Sequence, residues 1–173
     1  SSSHIGVRSG AFGSYGWWNG TVDQVRVFDK AISSSEITTL YGETFASTTI
    51  STTDIFDDDS GIALYQLDGN ANDTGGISGR LTGDAATFNG STSLLTMNQA
   101  SVLGNIFGVT FWINIPSVPP DNDWIFQFSY GQNVGLYIDS NGVLQVYIGS
   151  YSANESYATS QTFSTNTWYN VVL

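Results

Sequence analysis

The sequence predicts an all-β protein, an antiparallel sandwich of two sheets with one short helix. Short segments in which apolar and polar residues alternate recur along the chain, and turn-forming residues separate them. The 173 residues include 19 glycines and many serines and threonines, whereas residues that favour helices are scarce. Hydrophobic residues make up 40% of the chain and aromatic residues 14%, which suffices for the core of about one domain.

Two strands are predicted in the first 28 residues. The segment from His4 to Arg8 alternates weakly and predicts a short strand. A second strand is predicted to place Val22, Val25 and Val27 on one face toward the core. Val22 and Val25, however, are three residues apart rather than two. Because side chains alternate strictly along a strand, the odd step predicts a β-bulge at Asp23-Gln24.

A short helix is predicted directly after this strand. Ser33 and Glu36 have the spacing of a capping box, in which the serine caps the helix and the glutamate reaches back to it. Ile37, Leu40 and Tyr41 would share one apolar face of the helix. Gly42 is a typical C-terminal stop, so the helix should end there. Residues 43–60, rich in Ser, Thr and Asp, are interpreted as a linker.

The second half of the chain predicts a series of short strands. Asn141-Gly142 is a hairpin signal between two alternating segments. The predicted strand Phe107–Ile115 ends at a run that contains Pro116, Pro119 and Pro120, because proline cannot donate a hydrogen bond to a sheet. The predicted strands are Gly61–Leu67, Phe107–Ile115, Trp124–Phe128, Val134–Asp139, Leu144–Ile148, Tyr157–Phe163 and Trp168–Leu173.

Several stretches resemble laminin-G-like domains of the concanavalin A-like jelly-roll type. WNGTVDQVRVFDKAISSSEITTLY, residues 18–41, is similar to the strand and helix that close such a domain. ALYQLDGNANDTGG and ATFNGSTS, residues 63–76 and 86–93, are similar to its opening strand, loop and following segment. The stretch TNTWYNV, residues 165–171, matches a later strand, while residues 77–84 are shorter than the family usually has. The resemblance implies a concanavalin A-like sandwich.

The matches are out of phase with a single domain. Residues 1–42 resemble the C-terminal segment of a laminin-G-like domain, and residues 61–173 resemble the first two-thirds of one. Tandem repeats cut across a junction would explain this order, and so would one permuted sandwich built from both segments. We therefore interpret the chain as part of a longer repeat protein.

Charge and composition argue against several partners. The formal net charge is −11, with only four basic residues, which disfavours nucleic acids and anionic membranes. No segment is long and apolar enough to be inserted into a membrane. The absence of cysteine excludes disulfides and thiolate chemistry. His4 is the only histidine, and a role in strand pairing is expected rather than metal binding.

The family resemblance implies a structural calcium ion. By motif position its ligands would be Asp68, Asn70 and Asp73 in the loop after the opening strand, and Asp23 in the closing strand. Calcium prefers six to eight oxygen ligands, and the DGNAND sequence is rich in side-chain oxygens. The alternative is an ordinary turn in which these side chains bind their own backbone.

Four aromatic residues are candidates for stacking on a sugar ring: Tyr15, Trp17, Trp124 and Tyr130. Flat aromatic faces suit the C–H faces of pyranose rings. The alternative is structural, with one of the adjacent residues Trp17 and Trp18 filling the core and the other covering a sheet edge.

Catalysis is not expected. Glycosidases of this fold use two carboxylates, often on one strand. None of the three glutamates lies two or four residues from another carboxylate on a predicted strand, and the sequence has no Ser/His/Asp arrangement. We expect a non-catalytic, extracellular or virion-surface adhesion module that binds surface glycans or neighbouring copies of the same repeat protein. A purely structural fibre scaffold and a glycoside hydrolase are the alternatives.

Overall fold

The computed structural model describes residues 3–10, 13–42, 55–65, 85–97, 108–128, 132–150 and 153–173. In these ranges the chain forms antiparallel sheets and one helix, which confirms the predicted all-β antiparallel sandwich with one short helix. The elements are β1 (Ser3–Ile5), β2 (Arg8–Gly10), β3 (Gly13–Tyr15), β4 (Asn19–Phe28), α1 (Ser34–Gly42), β5 (Gly61–Tyr65), β6 (Ala86–Asn89), β7 (Leu95–Met97), β8 (Gly108–Asn114), β9 (Asp123–Phe128), β10 (Gln132–Ile138), β11 (Val143–Ser150), β12 (Ala153–Thr162) and β13 (Trp168–Val172).

The chain divides into two compact units. The first unit contains a six-stranded sheet in the order β12-β11-β10-β9-β1-β7 and the two-stranded ribbon β2-β3. The second unit contains helix α1 and most of a sheet in the order β13-β8-β4-β5, to which β6 is added on β4. Among the described residues, no helix has the length and apolar character needed to cross a membrane.

In the first unit, strand β1 lies between β9 and the outermost strand β7 of the six-stranded sheet. Ile5 pairs with Phe126 of β9, which pairs in turn with Leu136 of β10, and all three side chains are buried. The N-terminal segment thus shares a sheet with strands from residues 61–173. Whether the two segments come from adjacent repeats of a longer chain stays a prediction.

The strand predicted from His4 to Arg8 is interrupted, so this expectation was wrong. It forms two strands, β1 and β2, separated at Gly6, which has a φ of 91°. A Cβ on Gly6 would lie 2.3 Å from the Phe88 ring, so only glycine fits. His4 pairs with Thr96 and Gln127 on the neighbouring strands, as the strand-pairing prediction requires.

In the second unit, β8 shows the predicted alternation. Val109, Phe111 and Ile113 are fully buried on one face. Val109 and Leu173 exchange two backbone hydrogen bonds of 2.9 and 3.0 Å, which join β8 to the end of β13. In β4, Gln24 has a φ of 47°, a left-handed conformation at the position of the predicted bulge, and this supports the bulge.

The capping box of α1 is confirmed. The Ser33 backbone N–H donates to the Glu36 carboxylate at 2.8 Å, and the Ser33 hydroxyl donates to the same oxygen at 2.6 Å. The Lys30 ammonium contacts both Glu36 and Asp58, which ties the helix start to the end of the predicted linker. Residues 43–54 of that linker lie outside the described residues.

The apolar face of α1 is narrower than the sequence predicts. Leu40 is 2% exposed, but Ile37 and Tyr41 are 39% and 62% exposed. The Tyr41 ring stacks on Trp112 of β8, with 6.0 Å between ring centroids. The helix is therefore anchored mainly by Leu40 and by one aromatic contact.

The predicted hairpin joins β10 and β11. Gly142 has a φ of 75°, and its N–H donates to the Asp139 carbonyl at 2.9 Å. The Asp139 carboxylate accepts hydrogen bonds from the backbone N–H groups of Asn141 and Val143 at 2.8 and 3.1 Å. The left-handed glycine at the end of the turn explains why the Asn-Gly pair is a reliable signal here.

Candidate functional site

A β-bulge in β9 determines which face of the six-stranded sheet Trp124 occupies. Phe126 pairs with Leu136, but Trp124, two residues earlier, pairs with Tyr137, only one residue later. Ile125 is therefore an inserted residue, and its carbonyl accepts a hydrogen bond from the Gly6 N–H at 2.8 Å. Because paired residues share a face, the bulge places Trp124 with Tyr137 on the face opposite to Phe126.

Two glycines make room for the Trp124 ring. A Cβ on Gly135, in the neighbouring strand, would lie 2.4 Å from the ring. A Cβ on Gly16 would lie 2.3 Å from the ring and 2.8 Å from the Asn122 carbonyl oxygen, and Gly16 also has a φ of 63°. The backbone at Gly16 also lies beside β9, since the Trp124 N–H donates to the Gly16 carbonyl at 2.9 Å.

Trp124, Tyr137 and Tyr147 form an aromatic cluster around the guanidinium of Arg8. The Trp124 ring centroid lies 4.9 Å from that of Tyr137 and 5.2 Å from that of Tyr147, the latter at an interplanar angle of 74°. The guanidinium carbon of Arg8 is 4.6 Å from the Trp124 centroid and 4.9 Å from the Tyr147 centroid. The Nη2 group of Arg8 also donates a hydrogen bond to the Tyr147 hydroxyl at 3.4 Å. These cation–π contacts hold a positive charge on this face.

The cluster forms one wall of a pocket with a volume of about 330 Å³. Polar groups from two other places complete it: the loop before β9 contributes Asp121 and Asn122, and edge strand β12 contributes Ser156. Ser156 pairs with Tyr147, so it stands on the same face. In the described parts of the chain, the residues that line the pocket are Arg8, Gly16, Asp121, Asn122, Trp124, Tyr137, Tyr147 and Ser156.

Two carboxylates close to the pocket differ in their surroundings. Asp121 is exposed, and its carboxylate accepts a hydrogen bond from the Asn122 backbone N–H at 2.8 Å, which orients it. Burial raises the pKa of Asp123 to about 6; a hydrogen bond from the Asn19 backbone lowers it, and repulsion from Asp121 raises it further. A carboxyl group with a raised pKa stabilises the fold when it is protonated and loses this contribution as the pH rises through 6.

The comparison with protein families matches the second half of the chain. A family model described as the concanavalin A-like lectin/glucanases superfamily, of the laminin G type, covers residues 88–173. Residues 88–173 therefore belong to this superfamily. No curated protein and no solved structure matches it. The matched segment contributes six of the eight residues that line the pocket, all except Arg8 and Gly16.

Of the four predicted stacking residues, the structure describes the side chains of two, Trp17 and Trp124. Trp124 lines the pocket but is only 4% exposed, so it belongs to the wall and does not present an open face. Trp17 is half-buried and forms a backbone bridge to Trp124, without lining the pocket. Trp18 is the tryptophan that fills the core, at 1% exposed. The side chain of Tyr15, and Tyr130 as a whole, lie outside what the structure describes.

Of the predicted calcium ligands, only Asp23 is among the described residues. It lies in β4 next to the left-handed Gln24 and is 2% exposed. A buried carboxylate needs compensating partners, and a calcium ion among those of Asp23 stays a prediction. Asp68, Asn70 and Asp73 lie outside the described residues. In the described parts of the chain, no group of three or more His, Cys, Asp or Glu residues could hold a metal ion.

The sequence contained one overlooked signal for the pocket. Gly135 and Gly149 interrupt otherwise regular strands, and glycine inside a strand often marks the close approach of another group. A Cβ on Gly149 would lie 2.4 Å from the Tyr147 hydroxyl oxygen, so the second glycine accommodates the second ring. Arg8 had no comparable signal, since its contacts depend on the tertiary fold.

Proposed function

We propose that this concanavalin A-like chain is a non-catalytic carbohydrate-binding adhesion module. The observation that carries the proposal is the pocket on the six-stranded sheet, where three aromatic side chains, a cation, a carboxylate and an amide converge. Sugar sites combine aromatic rings, which contact C–H groups, with polar side chains, which contact hydroxyls. The superfamily match supports the same class of ligand.

The lining of the pocket also supports the absence of catalysis. Glycosidases use two carboxyl groups on either side of the scissile bond, about 5–10 Å apart. Among the residues that the structure describes, the pocket lining contains a single carboxylate, Asp121. Asp123 has a raised pKa, but it does not line the pocket. Hydrolysis of algal and bacterial polysaccharides, measured as release of reducing ends, should therefore be undetectable.

The setting of the module is part of the proposal. We place it in an extracellular, cell-surface or virion-surface repeat protein, with surface glycans as partners and a structural calcium ion that includes Asp23 among its ligands. The net charge of −11 supports an exposed, soluble surface rather than contact with nucleic acid. Binding to a glycan array with calcium and with a chelator tests both the ligand class and the dependence on the ion.

A matched pair of tyrosine variants tests the pocket. Tyr137→Ala removes a half-buried ring from the pocket, whereas Tyr41→Ala removes a 62% exposed ring from helix α1. The affinity for any glycan found on the array should fall about tenfold in Tyr137→Ala, the result of losing about 1.4 kcal/mol of contact energy. Tyr41→Ala should bind normally. Equal losses in both variants, or no loss in Tyr137→Ala, would refute the assignment of the pocket.

A structural scaffold is the second candidate, and strand β12 favours it. The residues from Glu155 to Ala158 are exposed, and β12 is the outermost strand of its sheet in the described residues. Ile148 and Tyr157, on β11 and β12, are 52% and 53% exposed. Long unprotected edge strands can pair with another chain. Self-association in sedimentation experiments, with no binding anywhere on the array, would favour the scaffold over the lectin.

A further inference from the structure

The position of Arg8 is fixed before any ligand binds. Its guanidinium lies over the rings of Trp124 and Tyr147, at 4.6 and 4.9 Å from their centroids, and donates to the Tyr147 hydroxyl. A guanidinium carries five N–H donors in a rigid plane and has no acceptor. Because the rings hold the plane in place, little side-chain entropy is lost when a ligand oxygen accepts from it. Arg8 therefore supplies the pocket with a preorganised donor.

Asp121 supplies the complementary acceptor. An ionised carboxylate has two oxygens and only accepts hydrogen bonds. The Asn122 N–H, at 2.8 Å, holds one carboxylate oxygen of Asp121, and both residues line the same pocket as Arg8. The pocket therefore combines a fixed donor with an oriented acceptor. A pair of hydroxyl groups can satisfy both, since each hydroxyl accepts and donates.

The charges around the pocket disfavour an acidic ligand. Within the lining, the charge of Asp121 offsets that of Arg8. Asp123 adds negative charge next to Asp121, and burial already makes that charge unfavourable there. The chain as a whole carries a formal net charge of −11. A carboxylate on the ligand would gain from Arg8 but would face repulsion from Asp121 and from the overall field.

We infer that the pocket binds an uncharged sugar ring through two adjacent hydroxyl groups, with Arg8 as the donor and Asp121 as the acceptor. This inference rests on the proposed carbohydrate-binding function and narrows its ligand class. It assigns specificity to two residues that no sugar-stacking argument identifies. The aromatic wall contacts the ring, and the Arg8 and Asp121 pair selects it.

The test uses matched small ligands in titrations followed by ligand-observed NMR. The probes are the methyl glycosides of glucose, galactose and mannose, and the uronic acid counterparts of the first two. At least one neutral glycoside should bind. A uronic acid counterpart of a glycoside that binds should bind about tenfold more weakly, because its carboxylate makes one unfavourable charge contact. A uronic acid that binds as tightly as its neutral counterpart, or more tightly, would overturn the inference while leaving the proposed function intact. If no probe binds although the glycan array shows binding, the inference fails and the proposed function stands; if the array also shows no binding, both fail.

Deoxy analogues and two variants locate the contact. Among single deoxy analogues of the bound glycoside, two that lack neighbouring hydroxyls should each lose about tenfold in affinity, as expected for hydrogen bonds to charged groups. Arg8→Lys keeps the charge but not the planar donor, so it should lose a similar factor, and Asp121→Asn should do the same. Asp57→Asn, a charge change at an exposed residue that does not line the pocket, should bind as wild type. Equal affinity in Arg8→Lys, Asp121→Asn and Asp57→Asn would overturn the inference.

Discussion

Two strands of this molecule, β4 and β9, contain irregular backbone next to side chains with different surroundings. In β4, the left-handed Gln24 accompanies a carboxylate, Asp23, that is buried in the fold. In β9, the inserted Ile125 moves Trp124 to the face that carries the pocket. The irregular backbone of β4 lies next to a buried carboxylate, whereas the bulge of β9 re-aims a ring that builds a surface site. Irregular backbone in a sheet therefore marks a site whose nature depends on the face it serves.

The largest expected effect tests the β9 side of this comparison. Trp124→Ala removes a ring that is 4% exposed and contacts two tyrosines and Arg8. The free energy of unfolding should fall by about 3 kcal/mol or more, the usual cost of deleting a buried aromatic ring. Urea denaturation measures this loss. A loss below about 1 kcal/mol would show that the ring is not packed as described.

The next effect separates steric fit from backbone strain. Gly16→Ala would place a Cβ 2.3 Å from the Trp124 ring and 2.8 Å from a backbone oxygen. Gly142 has a similar positive φ, but a Cβ there would meet nothing closer than 3.5 Å. Gly142→Ala should therefore cost only about 1 kcal/mol, from strain, and Gly16→Ala about 2–3 kcal/mol, from strain and overpacking. Equal losses in urea denaturation would contradict the close packing of Gly16 against Trp124.

Calcium removal tests the β4 side of the comparison. If Asp23 contributes to a calcium site, the melting temperature should fall when calcium is replaced by a chelator. At a calcium concentration about 100 times the dissociation constant, the ion stabilises the fold by about 2.7 kcal/mol. Asp23→Asn should lose most of this difference between the two conditions, whereas Asp57→Asn should keep it. A wild-type melting curve that is the same in calcium and in chelator would remove calcium from the account.

The smallest expected effect concerns pH. The pKa of Asp123 is about 6 in the fold against an ordinary value of 3.8, so its contribution to stability is present below pH 3.8 and is lost as the pH rises through 6. Asp123→Asn should therefore be more stable relative to wild type at pH 7.5 than at pH 4.5. Urea midpoints of both proteins at the two pH values measure this difference. Midpoints that shift in parallel would refute the raised pKa.

The same two strands show what could be predicted from the sequence. The odd step from Val22 to Val25 predicts irregular backbone in β4, and the left-handed Gln24 lies at that position. In β9, Trp124, Phe126 and Phe128 keep a regular spacing of two, and the neighbouring Ile125 is equally apolar, so the pattern hides the inserted residue. A bulge leaves no periodicity signal where apolar residues occupy both faces of a strand.

The pocket itself could be predicted only in part. Trp124 was selected as an aromatic residue, but its neighbours come from distant strands that pair through long-range contacts. Tyr137 and Tyr147 follow from the register of β9, β10 and β11, and Arg8 joins them from the N-terminal segment. The capping box of α1 and the hairpin turn at Gly142 were predictable, because they depend on residues within five positions of one another.

The central claim is that glycans bind at the aromatic cluster around Arg8, and the five tryptophan indole N–H signals test it directly. In a ¹⁵N-correlated NMR titration with a bound glycan, the signal of Trp124 should shift most, while those of Trp112 and Trp168 should stay in place. The Trp124 signal can be assigned from its absence in Trp124→Phe. A titration in which Trp112 or Trp168 shifts and Trp124 does not would place the binding site elsewhere and contradict the account.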